Sequence, residues 1–541
     1  MKNKKETFTK GVVALMISQV LVKVLGLVYR LYLTNREGFG DKGNAIFGAG
    51  FQIYALLLTL SSFGVPSAVA KLVSEKIAKG DTKGAHRIFK IALAFFSIVG
   101  LIGTVALLLG AKYIANVWLQ IPEAVYTLVA LSPSLFFAAV SAVFRGYCNG
   151  REKLSVNAKS QTYEQLFKAV FTIILVEVAV LMFGTNTTIM AVGANLSTTV
   201  STALCLVYLG WYYKKARKEI WKDTACPYHE PERKRTIIKN IIGIVVPTSI
   251  SSILSSIGTN IDAVTVVRGL TRHLGAEAAK VQYGILSGKV DTLTTLPLFF
   301  SGVFATAIIP AIATAIIKKD TKTITNKIEF TILLTILLGL PCAFGMCILA
   351  GPILNLLFPN APQGAVLLAI SSFAIIFSVI GQTINGALVG LGKYLVPAYA
   401  LAAGIGLKLI LNSILIPIPW IGANGAAIAS VVCNLVAFVI SFIVLIKTIK
   451  LTMPISTYVL KPIIATTIMS ICTALTYIIL CNITKEKIAT IVAIIIAVVA
   501  YVCAVILLKI FKKEEILMIP YGSKIYNILL KLGIYKERKV V

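Results

Sequence analysis

The run GVVALMISQVLVKVLGLVYRLYL, residues 11–33, is long enough to cross a bilayer as a helix, which takes about 20 predominantly apolar residues. Runs of this kind recur at 9–33, 45–70, 86–111, 122–145, 157–182, 187–213, 237–267, 281–316, 326–350, 363–390, 395–416, 421–447, 455–481 and 487–511. In hydrocarbon every backbone N–H and C=O needs a partner within the protein, and helices supply one locally. The expectation is an all-α polytopic membrane protein with fourteen transmembrane helices. A composition that is 57% hydrophobic agrees with it. The basic start, MKNKKETFTK, precedes a run too long for a signal-peptide core, so that run is kept as the first span.

The formal charge of +30 follows a pattern. Lysines and arginines crowd the N-terminus and the even-numbered loops: Lys71–Lys90, Arg151–Lys159, the KKARKEIWKD…ERKR segment, Lys318–Lys322 and Lys447–Lys450. Loops 183–186, 351–362 and 417–420 carry no charge. The positive-inside rule then places both termini in the cytoplasm of a multi-pass plasma-membrane protein. The loop cations face bilayer lipids, so nucleic acid is not an expected partner. Nine cysteines and three histidines show no metal-ligand spacing, and no metal, catalytic group or cofactor is expected.

The chain repeats itself. Gly150, Lys153, Ala158 and Lys168 answer Gly390, Lys393, Ala398 and Lys408 at an offset of 240, and Gly193-Ala194-Asn195 answers Gly422-Ala423-Asn424. The order of matches implies two parallel six-helix lobes around a central cavity. The division reads as an N-terminal lobe (1–213), a basic cytoplasmic linker (214–236), a C-terminal lobe (237–447), two additional spans (448–511) and a cytoplasmic tail (512–541). In that tail Ile525, Ile528, Leu529 and Leu532 share a face beside Lys524 and Lys531, the pattern of a helix lying on the inner leaflet.

Charged and amide groups within spans mark the candidate site, because each is costly in hydrocarbon. Gln19, Lys23, Gly26 and Arg30 fall on one face of the first span; Arg30, near its end, serves equally as a snorkelling anchor. Gln52 is an interior amide of the second span. Glu164 and Lys168, four apart in the fifth, are spaced for an intrahelical ion pair. Lys408 lacks that partner, since position 404 is glycine. The seventh span, PTSISSILSSIGTNIDAVTVVRG, holds Asn260 and Asp262, and the eighth holds Lys289 and Asp291, two apart and on different faces. Arg145 ends the fourth span, as a site cation or an orientation anchor. Lys23, Arg30, Lys289 and Lys408 outnumber Asp262 and Asp291, which points to an anionic substrate.

The stretch Lys23-Val-Leu-Gly-Leu-Val-Tyr-Arg30, the stretch Phe63-Gly-Val-Pro-Ser-Ala-Val-Ala-Lys71, and the two-times-six repeat with two extra spans resemble the polysaccharide-exporter branch of the multidrug/oligosaccharidyl-lipid/polysaccharide (MOP) superfamily. Within it the chain is most similar to SpoVB-type and MurJ-type proteins. The resemblance implies a flippase that moves an undecaprenyl-diphosphate-linked sugar, such as lipid II, outward by alternating access. Lys23 falls where a family arginine does, Arg30 lies one position beyond a second, and Lys289 corresponds to a basic residue of the eighth span. On this reading Lys23, Arg30, Lys289, Gln52, Arg145 and Lys408 bind substrate, while Asp262, Asp291, Asn260 and Glu164 tune or couple the cycle. Na+, H+ or the membrane potential would drive it, and the cell-wall synthesis machinery is the implied partner. The rival readings are a cation-coupled multidrug exporter of the same superfamily, a membrane glycosyltransferase, and a non-transporting assembly scaffold.

Overall fold

Apolar runs of this length fold as helices, and the computed structural model contains no strand among its described residues. These are 8–220, 232–317, 320–449 and 451–511, with scattered positions between 515 and 530. The tail's expected apolar face and much of the basic linker lie outside the described residues. The helices are α1 (Phe8–Asn35), α2 (Gly40–Ser62), α3 (Val65–Ala78), α4 (Thr82–Tyr113), α5 (Ala124–Gly150), α6 (Leu154–Phe183), α7 (Thr187–Ile220), α8 (Lys234–Leu274), α9 (Ala276–Gly284), α10 (Asp291–Thr294), α11 (Leu296–Ile317), α12 (Thr321–Ile348), α13 (Ala350–Leu357), α14 (Ala365–Gly390), α15 (Val396–Leu415), α16 (Asn424–Thr448), α17 (Lys461–Cys481) and α18 (Glu486–Leu507). Wider π-helical turns at Ile114–Leu119, Ile285–Val290 and Ser456–Leu460 extend or join them.

Among the described residues twelve stretches are long and apolar enough to cross a membrane. They coincide with twelve of the fourteen expected spans. The other two expected spans, 237–267 and 281–316, include positions outside the described residues, and within the second the described apolar helix is Leu296–Ala305. The second expected span also divides, into α2 and α3, with the break at Phe63-Gly64. Pro66 lies in the first turn of α3, where its missing N–H costs nothing; within a continuous helix it would remove a hydrogen bond and clash with the preceding turn.

The described chain packs as two compact units. One comprises Met1–Thr292 with Leu409–Ala426, the other Leu293–Lys408 with Ala427–Val541. In the first, α1 packs on α6, α4 on α5, and α7 on both α5 and α6, while α8 and α9 pack on α2. In the second, α14 packs on α11 and α12, and α17 on α18.

Small residues set the closest approaches in both. A β-carbon at Gly146 of α5 would lie 2.9 Å from the Pro66 carbonyl oxygen, and one at Gly150 2.7 Å from that of Ala70. At Gly386 of α14 the corresponding contact is 2.5 Å to the Ala305 carbonyl oxygen, and at Gly390 3.4 Å to Ile309 Cα. Two G-x-x-x-G pairs, 240 residues apart, thus press on equivalent preceding helices. The repeated Asp-Thr-Lys does the same job twice: Asp81 Oδ1 accepts from Gly84 N at 2.6 Å, and Asp320 Oδ1 from Thr323 N at 3.0 Å, each capping a helix N-terminus.

Candidate functional site

The stripe of polar and basic residues on α1 runs along α6 in the first unit. Ser18 Oγ donates to the Ala158 carbonyl at 2.8 Å, and Gln19 Nε2 to Gln161 Oε1 at 2.6 Å. A β-carbon at Gly26 would sit 3.5 Å from Gln165 Nε2. Lys23 is exposed and Arg30 half-buried. The Arg30 guanidinium lies 4.6 Å above the Phe47 ring, which stacks at 5.9 Å on Phe51. Lys168 Nζ stands 4.2 Å from the Phe51 centroid and 5.4 Å from that of Tyr29. Phe47, Phe51 and Tyr54, at i, i+4 and i+7, place one aromatic row of α2 beneath two cations. Desolvated contacts of this kind are each worth roughly 2 kcal/mol.

The expected Glu164–Lys168 pair is not formed. Glu164 Oε2 instead meets Arg145 Nη2 at 2.5 Å, and Arg145 Nε donates to Ser160 Oγ at 3.0 Å. An exposed i,i+4 pair gains only about 0.2–0.5 kcal/mol, whereas a partly buried guanidinium leaves several donors to satisfy. Arg145 is therefore neutralised by a neighbouring helix of its own unit, and Lys168 is turned toward aromatic rings.

Lys289 also differs from expectation. It counted as an uncompensated cation, yet its Nζ lies 2.9 Å from the Asp41 carboxylate, with the lysine fully buried. Gly284 and Gly288 bring this pair together: a β-carbon at the first would collide with the Asp41 carbonyl oxygen and one at the second with the Asn44 side chain. Asp262 accepts from Asn412 Nδ2 at 2.9 Å, and the same amide donates to Thr265 Oγ1 at 2.8 Å. Asn260 Nδ2 donates to the carbonyls of Gln52, at 3.1 Å, and Ser256, at 2.8 Å; Gln52 thus contributes backbone here. Tyr283 of α9 is buried, and Asp291, at the start of α10, is half-buried. Lys408 is buried in the second unit.

At the edge of the first unit, Lys280 Nζ bonds Glu123 at 2.8 Å and Glu277 at 3.0 Å, and Lys42 bonds Glu277 at 2.6 Å. Hydrogen bonds from Lys42, then Lys280, hold the Glu277 carboxyl below the usual range. Arg268, near the end of α8, donates to the Val117 carbonyl at 2.9 Å. Sequence reasoning missed Asp41, Tyr29, Phe47, Phe51 and Tyr283. The spacing of Phe47, Phe51 and Tyr54 was a visible signal, while the Asp41–Lys289 contact spans 248 residues and left none.

A family model described as polysaccharide biosynthesis protein matches residues 8–316, more than half of the chain. The chain belongs to this family. A second model, MatE, matches residues 247–414. Stage V sporulation protein B of Bacillus subtilis (strain 168) is 26% identical over 79% of this chain and 81% of its own length. Lipid II flippase MurJ of the same organism is 24% identical over 81% of this chain and 82% of its own. Among solved structures, a lipid II flippase MurJ in an inward closed conformation shares the fold with TM-score 0.69 at 17% identity, covering 96% of this chain and 100% of that one. An inward-facing multidrug resistance MATE transporter does so with TM-score 0.65 at 16% identity, over 80% and 97%. With its twelve membrane-length helices the chain is a multi-pass membrane protein, SpoVB/MurJ-like as its motifs suggest.

Proposed function

We propose that this family member is a flippase for an undecaprenyl-diphosphate-linked sugar, lipid II or a related cell-wall or spore-cortex precursor, which it carries to the outer leaflet by alternating access. One observation carries the reading: Lys23 and Arg30 share the face of α1 whose Gln19 and Gly26 meet α6, and neither has a carboxylate partner among the described residues. Cations without acidic partners suit phosphate oxygens. An organic-cation exporter needs acids facing its substrate, and here Asp41 and Glu164 are spent on Lys289 and Arg145. The names of the relatives point the same way.

In this scheme fourteen spans form two six-helix repeats plus a C-terminal pair, in the plasma membrane with both termini cytoplasmic. The paired G-x-x-x-G contacts and the twin aspartate caps support the repeat. Lys23 and Arg30 bind the diphosphate. Lys289 joins them when its pair with Asp41 opens; Gln52, Arg145 and Lys408 make secondary contributions. Asp262, Asp291, Asn260 and Glu164 tune the cycle, driven by Na+, H+ or the membrane potential. An inside-negative potential favours outward movement of anionic charge by about 2.3 kcal/mol per charge per 100 mV.

The test is translocation in proteoliposomes of the purified chain, with fluorescent lipid II and an organic-cation dye in parallel. The proposal expects lipid II to move and the dye to stay. Dye transport driven by a cation gradient, with static lipid II, would assign the protein to the drug exporters instead.

A further inference from the structure

Lys168 is the buried cation that the scheme above leaves unused. Its residue is 6% exposed, on α6 in the middle of the first unit. The acid four residues before it is committed to Arg145. Its recorded contacts are the faces of Phe51 and Tyr29, and among the described residues no carboxylate oxygen lies within the 4.0 Å of an ion pair. A buried ammonium is expensive unless an opposite charge compensates it, and two ring faces compensate only in part. Beside it Arg30 repeats the arrangement on Phe47, and its Nη1 is buried without a hydrogen-bond partner. Arg30 and Lys168 thus each rest on one ring of the stacked Phe47–Phe51 pair.

We propose that Lys168 and Arg30 together form a diphosphate-binding clamp, and that Phe47, Phe51 and Tyr29 are the resting partners the diphosphate displaces. This rests on the flippase reading and adds a residue on α6 to the site. An aromatic face suits the resting role better than a carboxylate. It stabilises the cation where water is scarce, yet it brings no negative charge for the incoming anion to compete with. The ligand class is set by two cations at neighbouring positions, which match the two linked phosphoryl groups of a pyrophosphate ester.

The experiment measures thermal stabilisation of the purified full chain by inorganic pyrophosphate, titrated at constant ionic strength. Lys168→Gln should weaken pyrophosphate binding at least tenfold, and Lys168→Arg should restore it to within about threefold, because a charge is required. Phe51→Leu removes the resting partner and keeps the cation, so it should tighten binding severalfold. A purely structural lysine gives the opposite pattern: Lys168→Gln lowers the melting temperature but binds pyrophosphate as wild type does, and Phe51→Leu leaves affinity unchanged or weaker. Either result overturns the clamp. If Lys168→Gln does not fold, the sign of the Phe51→Leu effect decides. No pyrophosphate binding by the wild type also overturns it, and lipid II movement in the same preparation then shows whether the flippase reading stands alone.

Discussion

Helix α6 of the first unit and the first part of α15, up to Lys408 in the second, are related by the offset of 240 residues, yet they treat charge differently. On and around α6, Arg145 and Glu164 form an ion pair and Lys168 rests on aromatic rings. The corresponding positions in the second unit are Asn385, Gly404 and Lys408. Asn385 Oδ1 accepts from Ser441 Oγ at 2.9 Å, and a β-carbon at Gly404 would lie 2.5 Å from the Cys433 carbonyl oxygen. Both lysines are 6% exposed. The helix packing through Gly146 and Gly386 is alike in both units. Positions 385 and 404 carry no charge, so the close packing shared by the two units does not depend on a counterpart of the Arg145–Glu164 pair.

Removing one partner breaks that comparison most sharply. Arg145→Ala leaves Glu164 partly buried and unpaired, and should cost about 3 kcal/mol, the low end for a broken buried pair. Arg145→Asn with Glu164→Gly, which copies the second unit, should recover much of that loss. A double-mutant cycle by denaturation in detergent reads the difference; additive losses would mean the pair is not coupled. A smaller effect should be shared by both units. Gly146→Ala and Gly386→Ala each force a methyl against a neighbouring carbonyl, costing roughly 1–3 kcal/mol by overpacking. Similar drops in melting temperature for the two variants sustain the equivalence, and an effect in one alone removes it.

The smallest expected effect lies at the rim of the first unit. Glu277 is held below its ordinary pKa by Lys42 and Lys280, so its contribution is present above the unfolded value and lost as pH falls through the lowered one. Because Glu277 is 61% exposed at its side chain, solvent screening keeps this under about 1 kcal/mol. Glu277→Gln should flatten the acid limb of the pH–stability curve slightly and leave neutral pH nearly unchanged. A curve identical to wild type would mean the bonds from Lys42 and Lys280 contribute nothing.

The same contrast explains what could be read from the sequence. Span positions were legible because twenty apolar residues in a row have one stable fate in a bilayer. The α1 stripe was legible because Lys23 and Arg30 lie on one helix, where the period of 3.6 fixes which residues share a face. Partners on other helices were not. Glu164 had a suitable lysine four residues away, and nothing local shows that Arg145, nineteen residues back, wins. Lys289 and Asp41 meet because Gly284 and Gly288 let two backbones touch, a tertiary event. The divided second span was half-visible, since Pro66 is a known breaker, but Gly64 and Pro66 do not alone decide between a kink and two helices.

Translocation of fluorescent lipid II by Lys23→Ala and Arg30→Gln proteoliposomes, set against wild type at matched protein density, tests the central claim most directly. The account predicts that each variant inserts normally and loses at least about 100-fold in rate, since one charge-assisted contact to the diphosphate is worth up to about 3 kcal/mol. Wild-type rates in both variants would contradict it, and the cations of α1 would then be anchors for the bilayer rather than hands for the substrate.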